Sequence, residues 1–219
     1  LGDVYKRQPL RNTVLFPQQV IPIYIGRERS LKLINELDPK KRYIVVVAQE
    51  DGSIEDPKPE DLYSYGTLAQ VLKVFDMPDN SKSAIVQGIS RVKIMEYLSH
   101  DPYFSAAVAS MEDKPIDDSL EVEALANNLR QSFEDLMKVA PNLTEEHSGM
   151  LKNIQKPNRL TDRAISVITI SNQEKQEILE ELDIKTRIEK ALNLISREIQ
   201  RIKLGEEIQS EVHDEITKT

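Results

Sequence analysis

The sequence predicts an α+β fold in which a β-rich amino-terminal part precedes an α-helical carboxy-terminal part. The chain has 7 Tyr and 4 Phe residues, and all of them except Phe133 lie in residues 1–112. Residues 1–112 carry 14 Lys and Arg against 15 Asp and Glu, whereas residues 113–219 carry 15 against 22. Aromatic residues favour strands, while Glu, Lys, Leu and Ala favour exposed helices. The charged stretch DKPIDD at 113–118 therefore marks the boundary between the two parts.

The opening segment, residues 9–30, predicts two short strands. Its apolar residues are interrupted by Pro17 and Pro22, and each proline removes a backbone donor that a helix would need. Prolines are tolerated at strand ends and on edge strands. A short amphipathic helix follows, because Leu31, Ile34 and Leu37 recur at intervals of three before Asp38-Pro39 ends the pattern.

Four further segments of the first part predict strands. The β-branched run YIVVVA at 43–48 is typical of a strand that is buried on both faces. The strand at 66–77 has Leu68, Leu72, Val74 and Phe75 as core candidates, and PDNS at 78–81 forms the turn that follows. Residues 84–98 and 103–111 complete the set. Short strands of this kind predict a small closed or half-closed barrel.

The second part predicts five helices from apolar periodicity and capping residues. Leu125 to Met137 form the first, Thr144 caps the second, and Leu160 to Ile170 form the third. Ser171 and Glu174 have the spacing of a capping box and open the fourth. Asp183 caps the fifth, whose apolar stripe continues to Ile202, and Gly205 is expected to interrupt it.

Motifs in both parts resemble the amino-terminal region of the Lon proteases. In the opening segment the matching positions are Pro9, Leu10, Arg11, Val14–Pro17, Pro22, Gly26, Arg27 and Ser30. Farther along they are Gly66–Ala69, Val71, Val74, Val86, Gly88, Arg91, Val92 and Ile94, then Leu160, Asp162, Lys175–Glu180, Asp183, Ile184, Arg187 and Ile188. The resemblance implies a β pseudo-barrel similar to the pseudouridine-synthase-associated (PUA) domains, followed by a helical bundle.

The resemblance also predicts the domain organisation. Residues 9–112 would form the β-rich Lon amino-terminal domain, 113–204 a helical subdomain, and 205–219 the start of a long connecting helix. Residues 1–8 are interpreted as a non-native leader, because Leu1 is not an initiator Met and Gln8 stands where an aliphatic residue is expected. A divergent strand is the alternative.

The function implied by the resemblance is recognition of unfolded or damaged protein substrates, together with help in assembling a homohexamer. The ATPase, with its ATP and Mg, and the Ser–Lys protease dyad would lie in the rest of the Lon chain, so no catalytic residue or cofactor is assigned here. A free-standing Lon-domain adaptor or ligand-binding protein without protease activity is the alternative. An RNA-binding function rests on the PUA analogy alone and conflicts with the acidic charge.

Substrate contacts are expected at exposed apolar residues near loops of the β-rich part. The candidates are Phe16, Pro17, Pro22, Tyr24, Met77 and Pro78. A second stripe, Ile208, Val212 and Ile216, has little chain left to cover it and is a candidate assembly surface. Gly66 and Gly88 are interpreted as turn or bulge residues that need a positive φ.

Composition excludes several kinds of site. Zero cysteines exclude disulfides and thiolate chemistry, and the three isolated His residues lack metal-ligand spacing. The net charge of −8 disfavours nucleic acid as a partner. No G-x-x-x-x-G-K-[ST] string and no apolar run of about 20 residues occur. We therefore expect a cytoplasmic protein with no membrane partner.

Overall fold

Residues 3–217, the part of the chain that this computed structural model describes, contain six β-strands, six α-helices and a short 3₁₀ helix at Pro59–Asp61. The strands are β1 (Asp3–Leu10), β2 (Val20–Ile25), β3 (Tyr43–Ala48), β4 (Tyr65–Asp76), β5 (Lys82–Ser99) and β6 (Ser105–Ser110). The helices are α1 (Glu28–Asn35), α2 (Ser119–Val139), α3 (Glu145–Lys152), α4 (Pro157–Val167), α5 (Asn172–Glu180) and α6 (Ile184–Thr217).

The chain divides into two units, and the division differs from the predicted domains in one segment. The first unit contains the residues up to 113 and also 172–182, and the second contains 114–171 and the residues from 183 onward. Helix α5, which we assign to the helical subdomain from the sequence, therefore belongs to the β-rich unit. Its Gln176 side chain donates a hydrogen bond of 3.1 Å to the carbonyl of Tyr65 on β4.

All six strands of the first unit form one sheet in the order β2-β5-β4-β3-β1-β6. The strand β5 pairs with β6 as well as with β4, so the five strands other than β2 form a closed ring of pairings. Strands β1 and β3 are parallel, and the other pairs are antiparallel. Among the described residues, strand β2 pairs with the ring only through β5.

Strand β3 is buried on both faces, as its continuous β-branched sequence predicts. Ile44 and Val46 lie in one apolar cluster, with residues of β2, α1, β4 and β5. Val45 and Val47 lie in a second cluster, with residues of β5 and β6. Burial of apolar area is the main favourable term in folding, so β3 is central to the stability of this unit.

The opening segment contributes only one of its two predicted strands. Residues 20–25 form β2, but Val14, Leu15 and Phe16 are buried without strand pairing. Side chains form hydrogen bonds with the backbone of this segment instead. The hydroxyl of Thr67 donates to the carbonyl of Leu15 at 2.6 Å, and the amide of Phe16 donates to the side chain of Gln19 at 3.0 Å.

Residues 3–8, which we interpret from the sequence as part of a leader, lie in β1. This strand pairs with β3 on one side and with β6 on the other. Arg7 and Gln8 are buried there. Leu1 and Gly2 lie outside the described residues.

Neither Gly66 nor Gly88 has a positive φ, so the predicted need for a left-handed backbone is wrong, although a register shift in the β4–β5 ladder does lie directly beside Gly88. Close backbone approach explains both. A β-carbon at Gly66 would collide with the carbonyl of Val46, and one at Gly88 with the carbonyl of Phe16. The left-handed backbone lies at Gln18, with φ of 68°, and at Asn80, with φ of 63°.

The second unit contains the cap that the sequence predicts for the last helix. The hydroxyl and amide of Thr186 both donate to the carboxylate of Asp183 at the start of α6, at 3.0 and 2.9 Å. Helix α6 runs without a break through Gly205, so the predicted interruption is wrong. Residues 205–217 are thus the last turns of α6.

Candidate functional site

The solvent-facing side of β2, β5 and β4 is formed by aligned cross-strand rows. In one row Pro22 lies opposite Ile85, which lies opposite Lys73. In the next row Tyr24 lies opposite Ser83, which lies opposite Phe75. Residues directly opposite each other point to the same face of a sheet, so the side chains in each row are neighbours.

Apolar side chains dominate this side of the sheet. Along β2, the residues Val20, Pro22 and Tyr24 are exposed, while Ile23 and Ile25 between and after them are buried. Tyr24 is 67% exposed and Phe75 is 40% exposed. We call the following set the outer face: Val20, Pro22, Tyr24, Phe75, Met77, Pro78 and Ile85. Exposed apolar patches with polar surroundings are typical of binding surfaces.

The ring of Tyr24 lies close to Gly26, the residue that follows β2. A β-carbon at Gly26 would collide with this ring, so the glycine leaves the space that the ring occupies. The hydroxyl of Tyr24 donates a hydrogen bond of 3.5 Å to Asp79 in the β4–β5 turn. Tyr24 therefore links β2 to the turn that carries Met77 and Pro78.

The β4–β5 turn is held by its own backbone and by Asp79. The amide of Met77 donates to the carbonyl of Ser81 at 2.9 Å, and the amide of Asn80 donates to the carbonyl of Met77 at 3.2 Å. Hydrogen bonds from the hydroxyl and the amide of Ser81 lower the pKa of the Asp79 carboxyl, so the group stays ionised near neutral pH. These hydrogen bonds fix the backbone of the turn that carries Met77 and Pro78.

The structure brings four of the six predicted contact residues together. Pro22, Tyr24, Met77 and Pro78 are exposed members of the outer face. Phe16 is only 1% exposed, so its inclusion among exposed contacts is wrong; its side chain belongs to the core. Pro17 is half-buried and lies near Gly88, close to the start of β2 rather than its end.

Sequence reasoning missed three members of the outer face. Ile85 lies between the buried residues Ala84 and Val86, but the sequence around Val20 and Ile85 is apolar on both faces and gives no signal of which side chains are exposed. Phe75, like Leu72, is predicted as core but is exposed. A register shift between Val71 and Lys73 inserts one extra residue in β4 and reverses the alternation after it, so Phe75 points outward; a bulge of this kind has no clear sequence signal.

Helix α6 carries a second exposed apolar surface. Leu204, Ile208, Val212 and Ile216 recur every four residues and are 57%, 52%, 51% and 69% exposed. Every residue from Lys203 to Thr217 is exposed. The three predicted assembly residues therefore lie on one uncovered stripe of the helix.

Two kinds of site are absent from residues 3–217. No group of His, Asp or Glu side chains there is arranged to hold a metal ion. No helix in that range has the length and apolarity that crossing a membrane requires.

Comparison with solved structures gives a fold match over most of the chain. The amino-terminal domain of the Mycobacterium avium complex Lon protease superposes with a TM-score of 0.71, covering 89% of this chain and 98% of that chain at 18% identity. A Lon amino-terminal domain protein from Xanthomonas campestris superposes with a TM-score of 0.62, covering 87% and 98% at 18% identity. These matches show the fold, a sheet domain with carboxy-terminal helices.

Comparison with related sequences gives matches over nearly the whole chain. The Lon protease of Koribacter versatilis is 40% identical over 212 residues, which are 96% of this chain and 26% of that protein. The Lon protease of Dictyoglomus thermophilum is 36% identical over 219 residues, which are 100% of this chain and 27% of that protein. The chain thus spans about a quarter of the length of these relatives. A family model described as the ATP-dependent protease La (Lon) substrate-binding domain matches residues 6–197, and the chain belongs to that family.

Proposed function

We propose that this chain is the substrate-recognition region of an ATP-dependent Lon protease and that it captures unfolded or damaged protein segments on the outer face. The observation that carries the proposal is the group of exposed apolar side chains on the outer face, at Pro22, Tyr24, Phe75 and Met77, in a chain of this family. Unfolded segments expose the apolar side chains that folded proteins bury. A surface that recognises them needs apolar area and little sequence preference.

The chemistry of the outer face suits such a ligand. Tyr24 and Phe75 offer large rigid rings, and the Nζ of Lys73 lies 4.8 Å from the centre of the Phe75 ring. Met77 offers a flexible thioether that adapts to different partners. Aromatic residues contribute most of the binding energy at many protein interfaces. The face is therefore suited to weak binding of many sequences.

Replacement of the two rings tests the proposal. We expect Tyr24→Ser and Phe75→Ser each to raise the Kd for a reduced and alkylated, permanently unfolded protein by about tenfold. Binding is measured by fluorescence anisotropy. Amide resonances of Tyr24, Phe75 and Met77 should shift when the ligand is added to isotope-labelled protein.

The matched control is Met95→Ser. Met95 is 60% exposed on β5 but lies ten residues beyond Ile85, outside the outer face. Its replacement should leave the Kd unchanged. Unchanged binding by both ring variants, or an absence of shifts at the outer face, would refute the proposed contact surface.

Assembly is the second element of the proposal. The carboxy-terminal turns of α6 are exposed on all sides, and a helix in water gains most of its stability from tertiary packing. We propose that Ile208, Val212 and Ile216 pack against another copy of the chain and so help to form the homohexamer of the complete protease.

Sedimentation tests the assembly surface. Val212→Lys should lower self-association, because it places a charge in the stripe, whereas Ser210→Lys places the same charge on the opposite side of the helix and should not. Equal sedimentation of the two variants and the parent chain over the same concentration range would contradict this role.

The remaining features of the proposal follow from the parent enzyme. ATP, Mg and the Ser–Lys dyad belong to regions of Lon outside this chain, and the chain itself has no catalytic role. The closed ring of strands supports a PUA-like pseudo-barrel. We also propose that the protein functions in the cytoplasm.

A further inference from the structure

Strand β2 has a free backbone edge. Within residues 3–217 it pairs only with β5, on one side, and no strand pairs with its other side. The unpaired N–H and C=O groups of such an edge are a template on which another extended segment can add.

The phase of the β2–β5 ladder shows which groups face outward. The amide of Gly88 donates to the carbonyl of Gln19 at 2.9 Å, and hydrogen-bonded pairs recur every second residue in an antiparallel ladder. Ile21 and Ile23 therefore bond to β5, and Val20, Pro22 and Tyr24 direct their backbone groups away from it. Pro22 stands at an outward position, where its missing N–H costs the ladder nothing.

A groove runs beside this edge. Its cavity volume is about 440 Å³, and its lining includes Pro22, Ile23 and Tyr24 from β2. The end of β1 and the residues that follow it, 8–13, also line it. A cavity of this size lies within the usual range for ligand sites.

Two arginines give the groove a positive charge. Arg11 and Arg27 both line it, and Arg11 is exposed. Burial, and then the positive charge of Arg11, lower the pKa of Arg27, while the weaker effect of Asp56 raises it. Arg27 uses one guanidinium nitrogen to donate to Gln49 at 2.6 Å. The two cations favour a carboxylate as the ligand group.

We propose that the groove binds an extended acidic polypeptide segment, which adds to β2 as a further strand and places an acidic side chain against Arg11 and Arg27. This inference rests on the proposed capture of unfolded segments and specifies one binding mode for them. The outer face would hold apolar side chains of the same ligand, while β2 would hold its backbone. Backbone bonding is independent of side-chain identity, so it suits a ligand of varied sequence.

Hydrogen exchange on the full chain tests the backbone contact. The probe is a ten-residue peptide with blocked ends, rich in Thr and Val and carrying one central Glu. Saturating peptide should slow exchange of the outward amides of Val20 and Tyr24 at least tenfold. The amides of Ile21 and Ile23 already bond to β5 and should change little.

Three matched probes and variants separate the contributions. A peptide N-methylated at alternate residues cannot form the ladder and should lose binding, and a Glu→Lys peptide should bind about tenfold more weakly. Arg11→Gln should remove most of the preference for Glu over Lys. Equal binding of the parent and N-methylated peptides, or unchanged exchange at Val20 and Tyr24, overturns the proposal.

The outcome can be told apart from failure of the proposed function. If the unfolded protein still binds and loses affinity with Tyr24→Ser, while the peptide protects neither outward amide, the edge mode is wrong and capture on the outer face stands. If the ring variants bind the unfolded protein normally but the peptide protects Val20 and Tyr24, the edge mode stands and the outer-face assignment is wrong.

Discussion

The Nε of Arg91 donates a hydrogen bond of 2.7 Å to the carbonyl oxygen of Leu179, 88 residues away in the sequence. Leu179 is the penultimate residue of α5, where helix carbonyls lack partners within the helix. A cation at a helix carboxy terminus is also favoured by the helix dipole. Arg91 therefore joins α5 to β5 inside the first unit.

Loss of this contact should destabilise the first unit. Arg91→Met keeps much of the aliphatic stem but removes the charged donor, and Arg91 is only 5% exposed. We expect the free energy of unfolding to fall by about 2 kcal/mol, since buried hydrogen bonds to charged groups contribute about 1.5–3 kcal/mol. Urea unfolding followed by fluorescence of the tyrosines, all of which lie in residues 1–112, measures the change.

The control for Arg91→Met is Arg11→Met, because Arg11 is exposed in the same unit. Its effect should stay within about 0.5 kcal/mol. Equal unfolding midpoints for both variants would contradict the assigned role of Arg91.

Two glycines form a matched pair with opposite expected effects. Gly88→Ala forces a β-carbon against the carbonyl of Phe16, so the backbone must move and the protein should lose stability. Gly205→Ala meets nothing within 4 Å in the middle of α6 and should stabilise the helix by about 0.5–1 kcal/mol. Thermal unfolding by circular dichroism reports both. A stabilised Gly88→Ala variant would mean that Phe16 does not approach the sheet this closely.

The elements that the sequence predicts well have strong local causes. The run YIVVVA cannot present a polar face, so it must be buried on both sides, and β3 is. Thr144 and Asp183 offer side-chain oxygens next to apolar periodicity, and α3 and α6 begin directly after them. Helix α5 likewise begins directly after Ser171. Capping chemistry is local and can be seen in the sequence.

The elements that the sequence does not predict depend on distant partners. The capping residues of α5 show where the helix begins but not that it packs on β4 through Gln176. The exposure of Phe75 depends on the register shift against β5. Only part of the candidate site could be predicted, since Pro22 and Tyr24 stand out locally between the isoleucines of β2, whereas the alignment of Tyr24 with Phe75 depends on strand pairing.

A buried ion pair in the second unit should be costly to break. The Nη1 of Arg187 on α6 lies 3.6 Å from the Oδ1 of Asp162 on α4, and the side chains are 0% and 6% exposed. Asp162→Leu leaves the guanidinium buried without this carboxylate, and we expect a loss of about 3–5 kcal/mol. Urea unfolding followed by circular dichroism at 222 nm measures it.

The double variant Asp162→Leu with Arg187→Met is the control for the ion pair. It removes both charges and keeps apolar volume, so it should recover most of the lost stability. A double variant as unstable as Asp162→Leu alone would show that packing, rather than the unpaired charge, is responsible.

The cap of α6 should make the second unit sensitive to acid. Hydrogen bonds from the amide and then the hydroxyl of Thr186 lower the pKa of the Asp183 carboxyl. Because the folded-state pKa lies below the unfolded value, the stabilisation is complete above the unfolded value, near 3.9, and is lost as pH falls through the folded value. Asp183→Asn should cap equally well at neutral pH without titrating, because Asn and Asp are similar N-caps. Urea midpoints of the two proteins should therefore agree at pH 7, and below about pH 4 the midpoint of the parent chain should fall below that of Asp183→Asn. Parallel curves over the whole range would show that Asp183 contributes nothing to the acid sensitivity of α6.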